Sequence, residues 1–364
     1  MVRLWRQWLG LGIVVAVLGV AAHAGAAEKK APVKKASGRA ALASRSVDPY
    51  LGAIVVDVET GKVLFEDKAD AQGYPASVIK LMGMLVVLER TGSGQLSVSN
   101  LVTVTAEASR TGGSQAYLKE KEVFPLEELL YALMIQSAND AAVAIAIHVA
   151  GGKDAFVELM NQKAAALGMT NSKFHSVHGL PPASGQEPDV STARDLAVLA
   201  RELINRTDIL KYTATKERKF RDGTFDMRNH NRLLTSFQGC DGLKTGYITA
   251  GGFSLVATAE RNGRRVIAVV LGSNGSRGYA RDAKAAELMT KGFAALPPLP
   301  PPAPVMPAVP VVTNVEAALP AGEAGVETSK GGGWLMPAVL GLVGGLVVAG
   351  VAAMGMQRSR RRQL

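Results

Sequence analysis

The sequence predicts an α/β fold: an antiparallel sheet flanked by helices, carrying an all-helical insert, followed by one C-terminal transmembrane helix. Two observations predict it. Strand-like runs open and close the central part of the chain, with a block of helical periodicity between them and a final helix behind. That order does not repeat as strand–helix–strand units; it suits a sheet whose first and last strands meet around an insertion. Separately, residues 334–356 form an uncharged run long enough to cross a bilayer.

The N-terminal segment has the three parts of a secretory signal. Arg3 and Arg6 make a positive start, Leu9 to Ala22 an apolar stretch, and Ala22-His23-Ala24 a small-x-small cleavage site. Ala24-Gly25-Ala26 would serve equally, so residues 1–26 are read as the signal peptide. The apolar stretch is near the upper length for a signal; removal is the expectation, retention as an anchor the alternative. Residues 27–47, rich in Lys, Ala and Ser and without periodicity, read as a flexible basic arm.

The net charge of +10 suggests nucleic acid at first sight, but +9 of it lies outside residues 47–291, leaving about +1 for the central part. The basic balance belongs to the appendages and says little about a substrate, so no nucleic-acid partner is expected. Cys240 is the one cysteine, so no intrachain disulfide is possible and an exported fold must hold by its own core. No histidine stands beside Cys240 in a thiol-activating motif, so it is expected to be a packed core residue.

The globular domain is placed at residues 48–296. Leu51 to Val58 is a strand by its β-branched content, Glu59-Thr60-Gly61-Lys62 a turn, and Val63 to Glu66 the returning strand of a hairpin. Ser77 to Arg90 spaces its apolar residues helically and ends at Thr91-Gly92. Leu126 to Gln136 is a helix started by Pro125, with Glu127 and Glu128 complementing its dipole. Asn139 to Ala150 is almost wholly apolar and is expected to be buried on all sides. Asp154 to Leu167 and Thr192 to Asn205 are amphipathic helices, and residues 170–191 between them form a long polar loop of the kind that wraps a site. Gly242 to Ile248, Phe253 to Glu260 and Arg265 to Gly272 are strands, the last two joined by an Arg261-Asn262-Gly263 turn, and Gly278 to Leu296 is a closing helix.

Three short motifs fall at the joints of this layout. Ser77-Val78-Ile79-Lys80 puts a hydroxyl and an amine on one helix face, about one turn apart. Serine is a weak nucleophile without an adjacent base, and a lysine serves as that base only if burial or a neighbouring cation keeps it neutral. Such a pair is expected roughly once by chance in a chain this long. Ser137-Ala138-Asn139 lies on the turn between two helices, and Lys244-Thr245-Gly246 on a strand. All three in this order form the motif set of penicillin-binding proteins and β-lactamases, and together they are far more specific than any one alone.

Over roughly residues 48–294 the sequence resembles the D-alanyl-D-alanine carboxypeptidases among the low-molecular-weight penicillin-binding proteins. Besides the three motifs, Pro75-Ala76-Ser77, Leu167-Gly168-Met169-Thr170-Asn171, His178-Gly179-Leu180, Ser191-Thr192-Ala193-Arg194-Asp195 and Ala268-Val269-Val270-Leu271-Gly272 resemble stretches of that family. The resemblance implies a β-lactamase/transpeptidase-like fold and a serine acyl-enzyme. On it, Ser77 attacks the carbonyl of a terminal D-Ala-D-Ala bond, Lys80 takes the proton, and the charge of Lys244 keeps Lys80 neutral. Ser137 relays the proton to the departing amine, and Asn139 hydrogen-bonds the Lys80 amine or the substrate amide. The backbone N–H groups of Ser77 and Tyr247 form the oxyanion hole, where fixed donors are typically worth several kcal/mol of barrier. Lys244 and Thr245 bind the substrate carboxylate, with Gly246 allowing close backbone approach.

In the stretch Asn229-His230-Asn231-Arg232 the family can place an arginine against that carboxylate; aligned on the asparagines, the position is His230 here. Arg232 would point the same way only if the segment is extended. His148 is expected to be a core residue and His178 to serve the loop; support of the site from behind is the lesser of the readings of Asp140. His175 and His178 have no carboxylate spacing resembling a zinc site, so neither a metal nor another cofactor is expected.

Pro297 to Pro310 holds eight of the seventeen prolines, and residues 297–333 read as a semi-rigid stalk. Its proline part would extend on the order of 40 Å, at ~3.1 Å per residue. Trp334 suits the membrane interface, and the arginines of the tail 357–364 fix that end in the cytoplasm. The expectation is a single-pass enzyme of the cytoplasmic membrane with its domain outside, removing the terminal D-alanine from peptidoglycan stem pentapeptides and acylated by β-lactams. The rivals are a D,D-endopeptidase on the same fold, a β-lactamase, and a catalytically silent wall-binding protein. Ser-Ala-Asn in place of Ser-Asp-Asn weighs against the β-lactamase, and lysines at both 80 and 244 weigh against the silent protein.

Overall fold

A β-branched run, Ile54-Val55-Val56, makes the first strand of the fold, and its residues alternate between two apolar cores. The computed structural model describes residues 49–297. The expected signal peptide, basic arm, membrane helix and basic tail, and the stalk beyond Pro297, lie outside them. Among the described residues no helix is long and apolar enough to cross a membrane.

In chain order the elements are β1 (Gly52–Asp57), β2 (Val63–Asp67), a 3-10 turn (Ala76–Ile79), α1 (Lys80–Gly92), β3 (Leu101–Thr103), α2 (Ala106–Ser109), β4 (Val123–Pro125) and α3 (Leu126–Tyr131). A π-helical turn (Ala132–Gln136) leads to α4 (Asn139–Ala150), α5 (Lys153–Ala166), α6 (Ala193–Arg206), α7 (Ile209–Thr213), β5 (Glu217–Phe220), β6 (Phe225–Arg228) and α8 (Leu233–Ser236). Then β7 (Cys240–Ile248), β8 (Gly252–Arg261) and β9 (Arg264–Ser273) precede α9 (Tyr279–Ala295).

Five strands form one antiparallel sheet in the order β2-β1-β9-β8-β7, so the first strand and the last pair directly. The register sets Ile54 against Val269 and Val56 against Ile267, with Val55 against Ala268 between them. Because side chains alternate along a strand, Ile54, Val56, Ile267 and Val269 join the large core shared with α1 and α6. Ala53, Val55, Ala268 and Val270 face the other way, against Ala285, Leu288 and Met289 of α9. Gly292 lets α9 lie close, since a Cβ there would stand 2.7 Å from Val55 Cγ1.

The helix α1 is the centre of the large core: every residue from Lys80 to Leu88 is buried. Its apolar side chains each contribute about 1.5–3 kcal/mol on burial, so the one charged residue in the run is carried inward by its neighbours. The insert between β2 and β7 is not all-helical. It holds two two-stranded sheets, β3–β4 and β5–β6. These strands are three or four residues long and mostly exposed, with charged runs such as Glu217-Arg218-Lys219, so no alternation marks them.

Helix α4 is buried from Asn139 to Ala146 only; its last turn opens to solvent and His148 is exposed, not in the core. The segment 170–191 contains no helix or strand and is tied down by two antiparallel bridges, Gly73 with Ser191 and Lys173 with Val190. Cys240 is half-buried beside the α9 core, and its thiol donates to Gly242 O at 3.5 Å. Burial pushes that thiol up to about 11, which leaves it a packing group.

Candidate active site

Ser77 sits in the 3-10 turn that opens α1, after Ala76, which holds a left-handed conformation at φ 50°. A non-glycine residue there costs about 1–2 kcal/mol, which the packing of the turn must offset. Gly246 and Gly179 press on this turn from two sides. A Cβ on Gly246 would stand 2.5 Å from Pro75 O and 3.2 Å from Ser77 N, and one on Gly179 2.2 Å from Ala76 O. The close approach that Gly246 permits is thus of strand β7 to the serine's own backbone. Tyr247, one residue on, lines the same groove as Ser77.

One helical turn later, Lys80 Nζ lies 2.8 Å from Ser77 Oγ, 2.7 Å from Asn139 Oδ1 and 2.8 Å from His178 O. The last two are carbonyl oxygens and can only accept. In its neutral form the amine has two N–H bonds for the Asn139 and His178 oxygens and one lone pair left for the Ser77 hydroxyl. Burial holds the Lys80 amine well below the ordinary lysine range, with the charge of Lys244 adding to it; Asp189 and Asp140 pull the other way.

Ser137 ends the π-helical turn in a left-handed conformation at φ 58°, and Asn139 is the first residue of α4. Both amide groups of Asn139 are committed. Its Nδ2 donates to Gly112 O and its backbone N to Ser114 O, each at 2.7 Å. The next residue, Asp140, is fully buried and accepts from the amides of Ala116 and Leu118, both at 3.0 Å. Asn139 therefore binds the lysine, and Asp140 holds the 112–118 loop that Asn139 touches. Ser137 Oγ makes no hydrogen bond among the described residues, so the expected relay from Lys80 is not joined in this state.

The open face is a groove of about 280 Å³ lined by Ser77, Ser114, Ser137, Thr245, Gly246 and Tyr247. His230, Arg232, Arg277 and Arg281 close one end, and Phe253 stacks on Tyr247 at 4.2 Å between ring centroids. Lys80, Asn139 and Lys244 are buried behind this wall. Another groove of about 290 Å³, between α6 and the β1–β2 hairpin, is lined by Ile54, Val63 and Val198 and holds no nucleophile with a base.

The Lys244 amine donates to Thr245 O at 3.2 Å. Burial, and then the charge of Arg281, bring it down to about 7. Asp282 is shared by two guanidiniums, accepting from Arg281 at 2.5 Å and from Arg232 at 2.8 Å. Arg277 and Lys244 have no ion-pair partner among the described residues, so this end of the groove is cationic. His230 and Arg232 both line the groove; Arg232 starts the short α8 and is turned toward Asp282 by that ion pair rather than by an extended backbone. His230 stands at the rim of the groove, and partial desolvation of the ring, then the positive charge of Lys244 behind it, lower its imidazole to about 4.

Every residue expected from the sequence is thus at or directly behind one groove. Ser114, Phe253, Arg277 and Arg281 were not expected. Only Gly112-Gly113 before Ser114, and the glycines 275 and 278 around Arg277, mark loops that could carry function. The role of His178 in the base site is a main-chain one, which no side-chain motif announces.

A D-alanyl-D-alanine carboxypeptidase family model matches residues 46–275. The D-alanyl-D-alanine carboxypeptidase DacF of Bacillus subtilis is 35% identical over 245 residues, covering 66% of this chain and 61% of the relative. DacC of Escherichia coli is 38% identical over 247 residues, covering 66% and 60%. The chain thus spans about 60% of the length of these relatives. Penicillin-binding protein D2 of Listeria monocytogenes, solved in an ampicillin-bound form, is 32% identical with a TM-score of 0.60, over 67% of this chain and 97% of that one. By sequence and by structure, this chain belongs to the D-alanyl-D-alanine carboxypeptidase family.

Proposed function

We propose that the chain is a serine-type D,D-carboxypeptidase that removes the terminal D-alanine from peptidoglycan stem pentapeptides. The observation that carries this reading is the buried Lys80 amine, held between two carbonyl oxygens and 2.8 Å from Ser77 Oγ. The substrate's terminal carboxylate enters the cationic end of the groove, at Lys244 and Thr245, with Arg232, Arg277 and Arg281 adding to the field and His230 at the rim. Ser77 Oγ attacks the penultimate D-alanine carbonyl while Lys80 Nζ takes the hydroxyl proton. The oxygen of the tetrahedral intermediate turns to the amides of Ser77 and Tyr247. As the C–N bond breaks, the proton passes to the departing D-alanine amine, with the Ser137 hydroxyl between them. Water then hydrolyses the acyl-enzyme, with Lys80 again accepting a proton.

A β-lactam is a cyclic amide that offers the same carbonyl and carboxylate, and a relative matched over 97% of its own chain was solved with ampicillin bound; we extend that ligand class to Ser77 here. The proposed placement rests on sequence pattern. Residues 1–26 would be a removed signal, 297–333 a stalk, 334–356 a single membrane span and 357–364 a cytoplasmic tail, with the catalytic domain (48–296) facing the wall.

The test is incubation of the full chain, wild type and Ser77→Ala, with a monomeric pentapeptide and with crosslinked muropeptide, read by mass spectrometry. Loss of one alanine from the pentapeptide, absent in the variant, supports the carboxypeptidase. Cleaved crosslinks with an untouched pentapeptide would make it an endopeptidase, and silence on both would contradict the reading.

A further inference from the structure

One of the two carbonyls that orient Lys80, that of His178, belongs to a segment with no helix or strand to hold it. What fixes it is a run of hydrogen bonds from a buried carboxylate. Asp189, 7% exposed, accepts from the amides of His175 at 2.7 Å and Ser176 at 2.9 Å with one oxygen, and from Ser176 Oγ at 2.6 Å with the other. With its proton committed to Asp189, Ser176 Oγ keeps its lone pairs for the amides of Gly179 at 2.9 Å and His178 at 3.4 Å. Gly179, at φ +79°, is the residue that lies against the backbone of Ala76 and Ser77. Asp189 is itself fixed by the paired backbone bonds of its neighbour Val190 with Lys173, at 2.9 and 3.0 Å. Ser191, next along, bonds Gly73 at the entry to the Ser77 turn, again at 2.9 and 3.0 Å.

We propose that Asp189 and Ser176 are positioning residues for the nucleophilic step, holding the His178 carbonyl where it fixes the direction of the Lys80 lone pair. This rests on the reading of Ser77 as nucleophile and Lys80 as its base. Lose the Ser176 bridge and the carbonyl drifts; the amine then rotates, and its lone pair no longer faces Ser77 Oγ. The two positions differ in one respect. Ser176 is neutral and acts by geometry alone. Asp189 also places a negative charge among the groups that surround Lys80, which are Lys244 on β7, Asp140 on α4, and His178 and Asp189 on the loop. Its carboxylate favours the charged amine, so removing that charge makes the amine easier to deprotonate.

The test is the rate at which a fluorescent penicillin acylates the full chain, measured against pH for wild type, Asp189→Asn, Ser176→Ala and Ser176→Thr. Both D189N and S176A should be acylated roughly 10- to 100-fold more slowly at the plateau, the cost of a small misplacement. Ser176→Thr, which keeps the hydroxyl, should recover most of the rate. The acid limb should move to lower pH in D189N and stay in place in S176A. Wild-type rates in both variants, or equal losses with no movement of the D189N limb and no recovery in S176T, would overturn the proposal. Wild-type protein that takes up no penicillin would overturn the nucleophile assignment itself, and this inference with it; labelled wild type confines any failure to the Asp189–Ser176 network.

Discussion

Lys80 Nζ lies 2.8 Å from Ser77 Oγ, and the other two partners of that amine are carbonyl oxygens. The proximity alone would fit an ammonium donating to a hydroxyl. Complete burial and a second buried lysine nearby favour the neutral amine, and the two acceptors on its remaining sides then take its two protons.

Replacing Lys80 by methionine, which fills a similar volume, should slow penicillin acylation by roughly a hundred- to ten-thousand-fold, the usual worth of a positioned base. The same variant should melt no lower than wild type, because it removes a costly buried amine from an apolar helix. Labelling kinetics and a thermal melt on the same sample check both halves.

Asn139→Asp keeps the shape of the amide but places a carboxylate 2.7 Å from the amine. An opposite charge favours the ammonium, so the acid limb of the acylation profile should move to higher pH. It also turns an acceptor toward Gly112 O, where Nδ2 now donates. A loss of about 1–3 kcal/mol in urea unfolding is expected for that clash of acceptors.

Gly246→Ala should fail for packing reasons. The added methyl would stand 2.5 Å from Pro75 O and 3.2 Å from Ser77 N, both backbone atoms, and 3.2 Å from Val78 Cγ2. Expected are a stability loss of about 1–3 kcal/mol and slowed acylation, because the strand and the Ser77 turn must separate. A variant acylated at the wild-type rate would argue against the contact.

Carboxylate binding should weaken with rising pH in a defined window. Lys244 is brought down to about 7 in the free protein, and a bound carboxylate draws it upward again. Binding of a D-Ala-D-Ala peptide to Ser77→Ala protein should therefore be tightest below about 7 and weaken above it. Calorimetry across pH reads this directly, and a C-terminally amidated peptide should bind weakly without that dependence.

His178 adds a stability window on the acid side. Burial, with the charge of Lys80, lowers its imidazole from 6.5 to about 4. The folded protein keeps it neutral while the unfolded chain protonates it, so its contribution is present above 6.5 and is lost as pH falls toward 4. Melting temperatures should drop across that interval, and less steeply in His178→Gln.

Much of this was legible in the chain, for identifiable reasons. The β-branched runs at 52–57 and 264–273 are long enough to alternate, and their pairing follows from an insertion between them. Ser77, Lys80, Ser137, Asn139 and Lys244 were found because each is a chemically odd residue at a motif's spacing. The strands at 101–103 and 217–220 were missed because three or four exposed residues carry no period. Arg277 and Arg281 reach the groove from the far end of the chain, and nothing local to them marks that convergence. Asp189 and Ser176 escaped notice because what they position is a carbonyl.

The central claim is that Ser77 is the nucleophile. The most direct test treats the full chain with a β-lactam, quenches, digests, and maps the added mass by tandem mass spectrometry. The account predicts one adduct, on the peptide containing Ser77, absent in Ser77→Ala and formed very slowly in Lys80→Met. An adduct on Ser114 or Ser137, or unimpaired labelling of Ser77→Ala, would contradict it.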